Sequence, residues 1–106
     1  MGLADEKSHS IRAGEQPLSP EEAATLARDV PGWSLADGRI ERELRFPDFE
    51  QAMAFVNKVA GIAQQEDHHP DILISYNKVR LVLSTHKIGG LSRNDFIVAA
   101  KIDRLV

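Results

Sequence analysis

Apolar residues recur along this chain in two rhythms, one of period 3.6 and one of period two, and their alternation divides it into seven elements. Behind Ser19-Pro20-Glu21-Glu22, the residues Ala23, Leu26, Ala27 and Val30 follow at helical spacing. Ser19 is placed as the cap, Pro20 takes the first helical position, and Glu22 can reach back to close a capping box. Pro31-Gly32 ends that helix. Trp33 to Leu35 and Arg39 to Phe46 then flank Ala36-Asp37-Gly38, a turn signal of hairpin type. In the second arm Ile40, Leu44 and Phe46 alternate with Glu41, Glu43 and Arg45, as in a strand wet on one side. The longest element starts at Pro47-Asp48, with Asp48 as cap and Gln51 three residues on. Phe49, Ala52, Met53, Val56, Val59, Ala60 and Ala63 form its apolar stripe, up to about Gln65.

Ile72 to Tyr76 and Val79 to Thr85 are β-branched-rich runs on either side of Asn77-Lys78, a two-residue hairpin signal. Val79, Leu81, Leu83 and Thr85 share one face of the second run, and Arg80, Val82, Ser84 and His86 the other. After the glycine-rich loop Lys87 to Leu91, Ser92 caps a last helix in which Phe96, Ala99, Ala100 and Asp103 recur. The order α-β-β-α-β-β-α predicts an α+β fold, with helices packed on one face of a four-stranded antiparallel sheet. Residues 1 to 17 are polar and aperiodic and read as a loosely ordered lead-in, which leaves His9 without a role; residues 18 to 106 form a single domain.

Charge and composition narrow the function. Thirteen Lys and Arg against sixteen Asp and Glu give a net charge of -3 without a basic run, which argues against direct nucleic-acid binding. The absence of cysteine excludes disulfides, thiolate metal sites and a cysteine nucleophile, and fits a cytoplasmic protein. No apolar run is long enough to span a membrane, and no leader pattern is present.

Candidate chemistry concentrates between Gln64 and Asp95, which hold three of the four histidines. Adjacent histidines cannot share a face of a helix or strand, so His68-His69-Pro70 reads as a turn that splays two imidazoles apart. The following extended segment brings His86 back toward that turn, and a pocket of three imidazoles is expected. A metal site built from His68, His69 and His86 with a carboxylate is chemically possible, though neighbouring histidines are awkward co-ligands. Asp95, three residues after Ser92, is also placed to close a cap on the last helix.

In combination these motifs are specific. Asp67-His68-His69-Pro70, Tyr76-Asn77-Lys78-Val79, Ser84-Thr85-His86 and Gly90-Leu91-Ser92-Arg93-Asn94-Asp95 occur in the order and spacing of the pterin-4a-carbinolamine dehydratases, which this chain resembles over about residues 18 to 106. Pro31-Gly32-Trp33 and Gly38-Arg39 match earlier positions of that pattern. The resemblance implies dehydration of a 4a-hydroxytetrahydropterin to a quinonoid dihydropterin, recycling the cofactor of aromatic amino acid hydroxylases. It makes the pterin the substrate, with no metal and no other cofactor.

By similarity His68 and His86 take the acid and base roles, to which imidazole is suited near neutral pH. His69 helps hold and polarise the pterin, Pro70 fixes the turn, Asp95 hydrogen-bonds within the site, and Trp33 lies near the pterin. Gln64 stands where animal members carry a Glu near the site; an amide can exchange hydrogen bonds but holds no charge. The resemblance further implies a homodimer or homotetramer. The competing reading is a non-catalytic dimerisation or transcription-cofactor-like module, the second role of animal members. A catalytically idle relative is disfavoured by the intact His68, His69 and His86.

Overall fold

The computed structural model describes residues 2–106. After a short 3-10 turn at Leu3–Asp5 come helix α1 (Pro20–Ala27), strands β1 (Ser34–Ala36) and β2 (Arg39–Arg45), and helix α2 (Phe49–Glu66). Strands β3 (Asp71–Ser75) and β4 (Lys78–Leu83), a 3-10 turn at His86–Ile88 and helix α3 (Arg93–Asp103) complete the chain. The expected order α-β-β-α-β-β-α and the α+β class are both observed, around a four-stranded antiparallel sheet of order β1-β2-β4-β3.

Local chemistry fixes most of these boundaries. Ser19 Oγ accepts from Glu22 N at 3.1 Å and Glu22 Oε1 from Ser19 N at 2.9 Å, the reciprocal cap anticipated for α1. Asp48 Oδ1 accepts from Gln51 N at 2.8 Å at the start of α2. Two residues, Asp37 and Gly38, join the Ala36↔Arg39 pair, and Gly38 takes φ 72°, where a side chain would be strained. The second hairpin turns one residue earlier than expected: Ser75 pairs with Lys78, so Tyr76-Asn77 is the loop and Lys78 already belongs to β4. Asn77 is pinned because its Nδ2 donates to Phe46 O (2.9 Å) and its own carbonyl accepts from Phe46 N (2.8 Å), leaving Tyr76 to take φ 53°.

Ile40, Val79, Leu81 and Leu83 project from the covered sheet face onto α2 and α3 and are fully buried. Along α2 the buried line is Ala52, Phe55, Val56, Val59, Ala63 and Glu66. Phe49 and Ala60, expected on the core stripe, are exposed, and Phe55 takes the place assigned to them by stacking at 5.0 Å on Phe46. Helix α3 is buried on more than one side: Asn94 to Ala99 are all covered. The reason is the N-terminal segment, which lies along it. Leu3 is buried in the common core, and Glu6 and Asp5 pair with Arg93 and Arg104 near the two ends of α3.

Candidate active site

The end of α2 creates the site. Asp67 adopts the left-handed conformation (φ 50°, ψ 42°) as the C-terminal cap, and His68 N reaches back to Ala63 O at 3.1 Å. That reversal sends the chain away from the helix axis, and buried Pro70 leads into β3. His68 and His69 consequently face different partners. His68 Nε2 lies 2.5 Å from Asp95 Oδ1, whereas His69 Nε2 lies 2.6 Å from Gln64 Oε1, on the last turn of α2.

Asp95 has no exposed surface and is saturated with donors. Besides His68 it accepts from Thr85 Oγ1 at 2.8 Å and from Ser92 N at 2.9 Å, both through Oδ2. Thr85 has a single proton and directs it to Asp95, so the 2.8 Å contact between Thr85 and Ser92 hydroxyls is donated by Ser92. Ser92 donates to Thr85 and Thr85 to Asp95, and His68 meets the other oxygen of the same carboxylate. A carboxylate only accepts, so His68 carries its proton on Nε2 and keeps Nδ1 for other chemistry. Asp95 therefore caps α3 and holds the His68 ring with the same carboxylate.

His86 is placed differently from the expectation. Strand β4 stops at Leu83, and Thr85 and Gly90 bridge to close a loop in which His86 opens the 3-10 turn rather than extending the strand. Gly90 is required there, since a Cβ would approach Pro17 Cβ to 2.8 Å. The His86 imidazole is exposed and makes no hydrogen bond among the described residues. Among the described residues no hydrogen bond joins any two of His68, His69 and His86, and no three His, Asp or Glu side chains are grouped to hold a metal ion. Trp33 is buried, with Nε1 donating to Asp103 Oδ1 at 2.8 Å beside Arg42 Nη1 at 2.6 Å. Asp103 is eight residues beyond Asp95, roughly 12 Å further along the helix at 1.5 Å per residue. Trp33 and His68 are thus tied to opposite ends of α3.

Several site residues carried no signal in the sequence. Glu66 is the clearest, a carboxylate on the buried line of α2, held by Lys101 Nζ at 2.8 Å and Ser8 N at 2.9 Å. Burial works to raise its pKa, but the Lys101 ammonium and the Ser8 N–H more than offset this, and it titrates below the ordinary glutamate value of 4.5. A depressed folded-state pKa stabilises the fold above the unfolded value, and that contribution is lost as pH falls through the folded one. Glu66→Gln is accordingly expected to cost about 1.5–3 kcal/mol near neutral pH, as for a hydrogen bond to a charged group. Its deficit against the parent should narrow as pH falls below 4.5 in urea titrations; a pH-independent deficit would contradict the assignment.

Beside His68 opens a cleft of about 340 Å³, with Ser8 to Ile11 on one side and Asp67, Lys87 and Asn94 on the other. Its size is at the lower end for small-molecule sites. A depression of equal volume between α1, β1 and Gly89-Gly90 is lined mainly by apolar residues and contains no histidine.

The protein-family model described as pterin 4 alpha carbinolamine dehydratase matches residues 16–105. This chain belongs to that family. A protein of Nitrosomonas eutropha named "Putative pterin-4-alpha-carbinolamine dehydratase" is 51% identical over 105 residues, covering 98% of this chain and 93% of its own. One of the same name from Rubrobacter xylanophilus is 41% identical over 104 residues, covering 97% of each. The crystal structure of a transcriptional coactivator/pterin dehydratase from Brucella melitensis superposes with a TM-score of 0.80 at 30% identity, covering 85% of this chain and 98% of that one. The span matched to the pterin dehydratase family includes both His68 and Asp95.

Proposed function

We propose that the protein removes water from a 4a-hydroxytetrahydropterin by histidine acid–base catalysis, releasing a quinonoid dihydropterin. The observation that carries this reading is the His68–Asp95 pair, a buried carboxylate with three donors behind an imidazole at the edge of a cleft. Dehydration breaks the C4a–O bond, delivers one proton to the departing hydroxide and withdraws one from N5 as the new double bond forms. Asp95 holds the Nε2–H of His68 and leaves Nδ1 open as an acceptor, which suits His68 to take up the N5 proton. His86, open to solvent, is left to protonate the leaving oxygen. His69, oriented by the neutral Gln64 amide, holds and polarises the pterin, and Pro70 keeps the two imidazoles splayed.

The chemistry assigned here moves only protons, and neither a metal nor a further cofactor enters it. In the cell the product would return to an aromatic amino acid hydroxylase in the cytoplasm. Among the described residues no helix is long and apolar enough to cross a membrane. Strand β3 forms an outer edge of the sheet and exposes Ile72 and Leu73, at 37% and 61%, so a second copy covering that edge would give the expected homo-oligomer. A sedimentation mass equal to that of one 106-residue chain would contradict it. The Brucella protein is also described as a transcriptional coactivator. A dimerisation module of that kind is the second reading, and it would need no saturated Asp95 behind His68.

The deciding experiment generates the 4a-hydroxytetrahydropterin in place with a hydroxylase and follows its dehydration with and without this protein. Acceleration that survives exhaustive chelation is expected. If dehydration is no faster with the protein present, the catalytic reading fails and the binding module gains.

A further inference from the structure

Beyond Glu6, three grips hold Ser8 to Ile11, and each comes from a residue within two positions of a member of the proposed site. Asn94, next to Asp95, is buried and takes both backbone groups of His9: its Oδ1 accepts from His9 N at 3.0 Å and its Nδ2 donates to His9 O at 2.7 Å. Lys87, next to His86, donates from Nζ to Ile11 O at 2.8 Å. Glu66, two residues before His68, accepts from Ser8 N, and its carbonyl accepts from the Ser8 hydroxyl. A polar, aperiodic terminus held only by chance contacts would not be gripped at each of the three elements that carry the site. Between these grips Ser10 lines the cleft, and its hydroxyl makes no hydrogen bond among the described residues.

We propose that Ser8 to Ile11 form a wall of the pterin-binding cleft, and that Asn94 is the positioning residue that sets this wall beside His68. The inference rests on the dehydratase reading and extends the site to a segment outside its motifs. One turn of α3 then serves both functions, with Asp95 orienting the imidazole and Asn94 the wall that faces it. Ser10 and Lys87 offer a hydroxyl and an ammonium to the polar edge of a bound pterin.

The test compares the parent with Ser10→Phe, Asn94→Ala and a control, Ala13→Phe, at an exposed position of the same segment that does not line the cleft. Affinity for a non-reacting dihydropterin is measured beside KM and kcat for dehydration, with melting curves to confirm folding. Ser10→Phe, which fills the cleft, is expected to weaken binding and raise KM about tenfold or more, with kcat changed far less, while Ala13→Phe matches the parent. Asn94→Ala should raise KM about three- to tenfold with kcat less affected, because lost positioning is felt in the ground state. Parent-like affinity and KM in Ser10→Phe would overturn the proposal even if Asn94→Ala folds poorly. If the parent binds the dihydropterin without turning substrate over, the dehydratase reading fails and the affinities alone still decide the wall. A parent that neither binds nor dehydrates defeats both.

Discussion

His68→Ala is expected to lower kcat by roughly 10² to 10⁴ with little change in KM, the range that a positioned proton carrier contributes. The Nε2–H of His68 is committed to Asp95 at 2.5 Å, so the ring enters the reaction through Nδ1 with its tautomer already chosen. His86→Ala should lower kcat comparably despite its exposed ring, since proton exchange with solvent is what its place offers. His69→Ala should act more on KM, because its partner is a neutral amide and its role is to hold. Removing His68 and His86 together should cost less than the product of the single losses, as groups serving one event do. Steady-state kinetics on the four proteins checks this; an abolished kcat in His69→Ala beside a parent-like His86→Ala would reverse the roles.

The second large effect is on stability. Asp95→Ala should destabilise the fold by about 3–5 kcal/mol, the cost of removing one partner from a buried charged network. Against the ~5–15 kcal/mol that holds a typical domain folded, that is a substantial fraction. The loss arises because Ser92 N–H and the Thr85 hydroxyl are left inside without their acceptor, and the N-terminus of α3 loses its cap. Asp95→Asn keeps the volume and one acceptor oxygen, so its stability cost should be nearer 1–3 kcal/mol. Its kcat should nonetheless fall, because an amide can turn its NH2 toward His68 and no longer enforces the Nε2–H tautomer. Urea denaturation of both variants separates the two duties of this side chain; equal loss of stability in the two would mean that charge, not shape, secures the helix start.

The elements were legible where local chemistry is decisive. Ser19 with Glu22, Asp48 with Gln51, and the Asp37-Gly38 turn are written in short spacings, and the structure uses each. Thr85 likewise falls on the face shared with Val79, Leu81 and Leu83, as period two requires, although nothing in that rhythm says its hydroxyl serves Asp95. The misplacements arose where a tertiary contact overrides a local preference. Asn77 is held by Phe46, which moves the turn onto Tyr76, and the Thr85–Gly90 bridge ends β4 before His86. Along α2 the choice between Phe49 and Phe55 depends on where Phe46 lies, which helical spacing alone does not reveal. Glu66 was hidden because its ammonium partner, Lys101, is thirty-five residues away.

The burial of α3 on more than one side ties the folding of this chain to contacts between distant segments. Phe96, Ile97, Val98, Ala99 and Ile102 belong to one core with Leu3. Until α3 docks, the sheet and α2 lack the helix they close upon, and the segment around Leu3 has nothing to lie against. Contacts that join segments over such separations carry the full loop entropy before any packing is gained. Chains cut before Ile102 should therefore stay open to proteases and chaperones, with native structure arriving as a single step only when that turn is present.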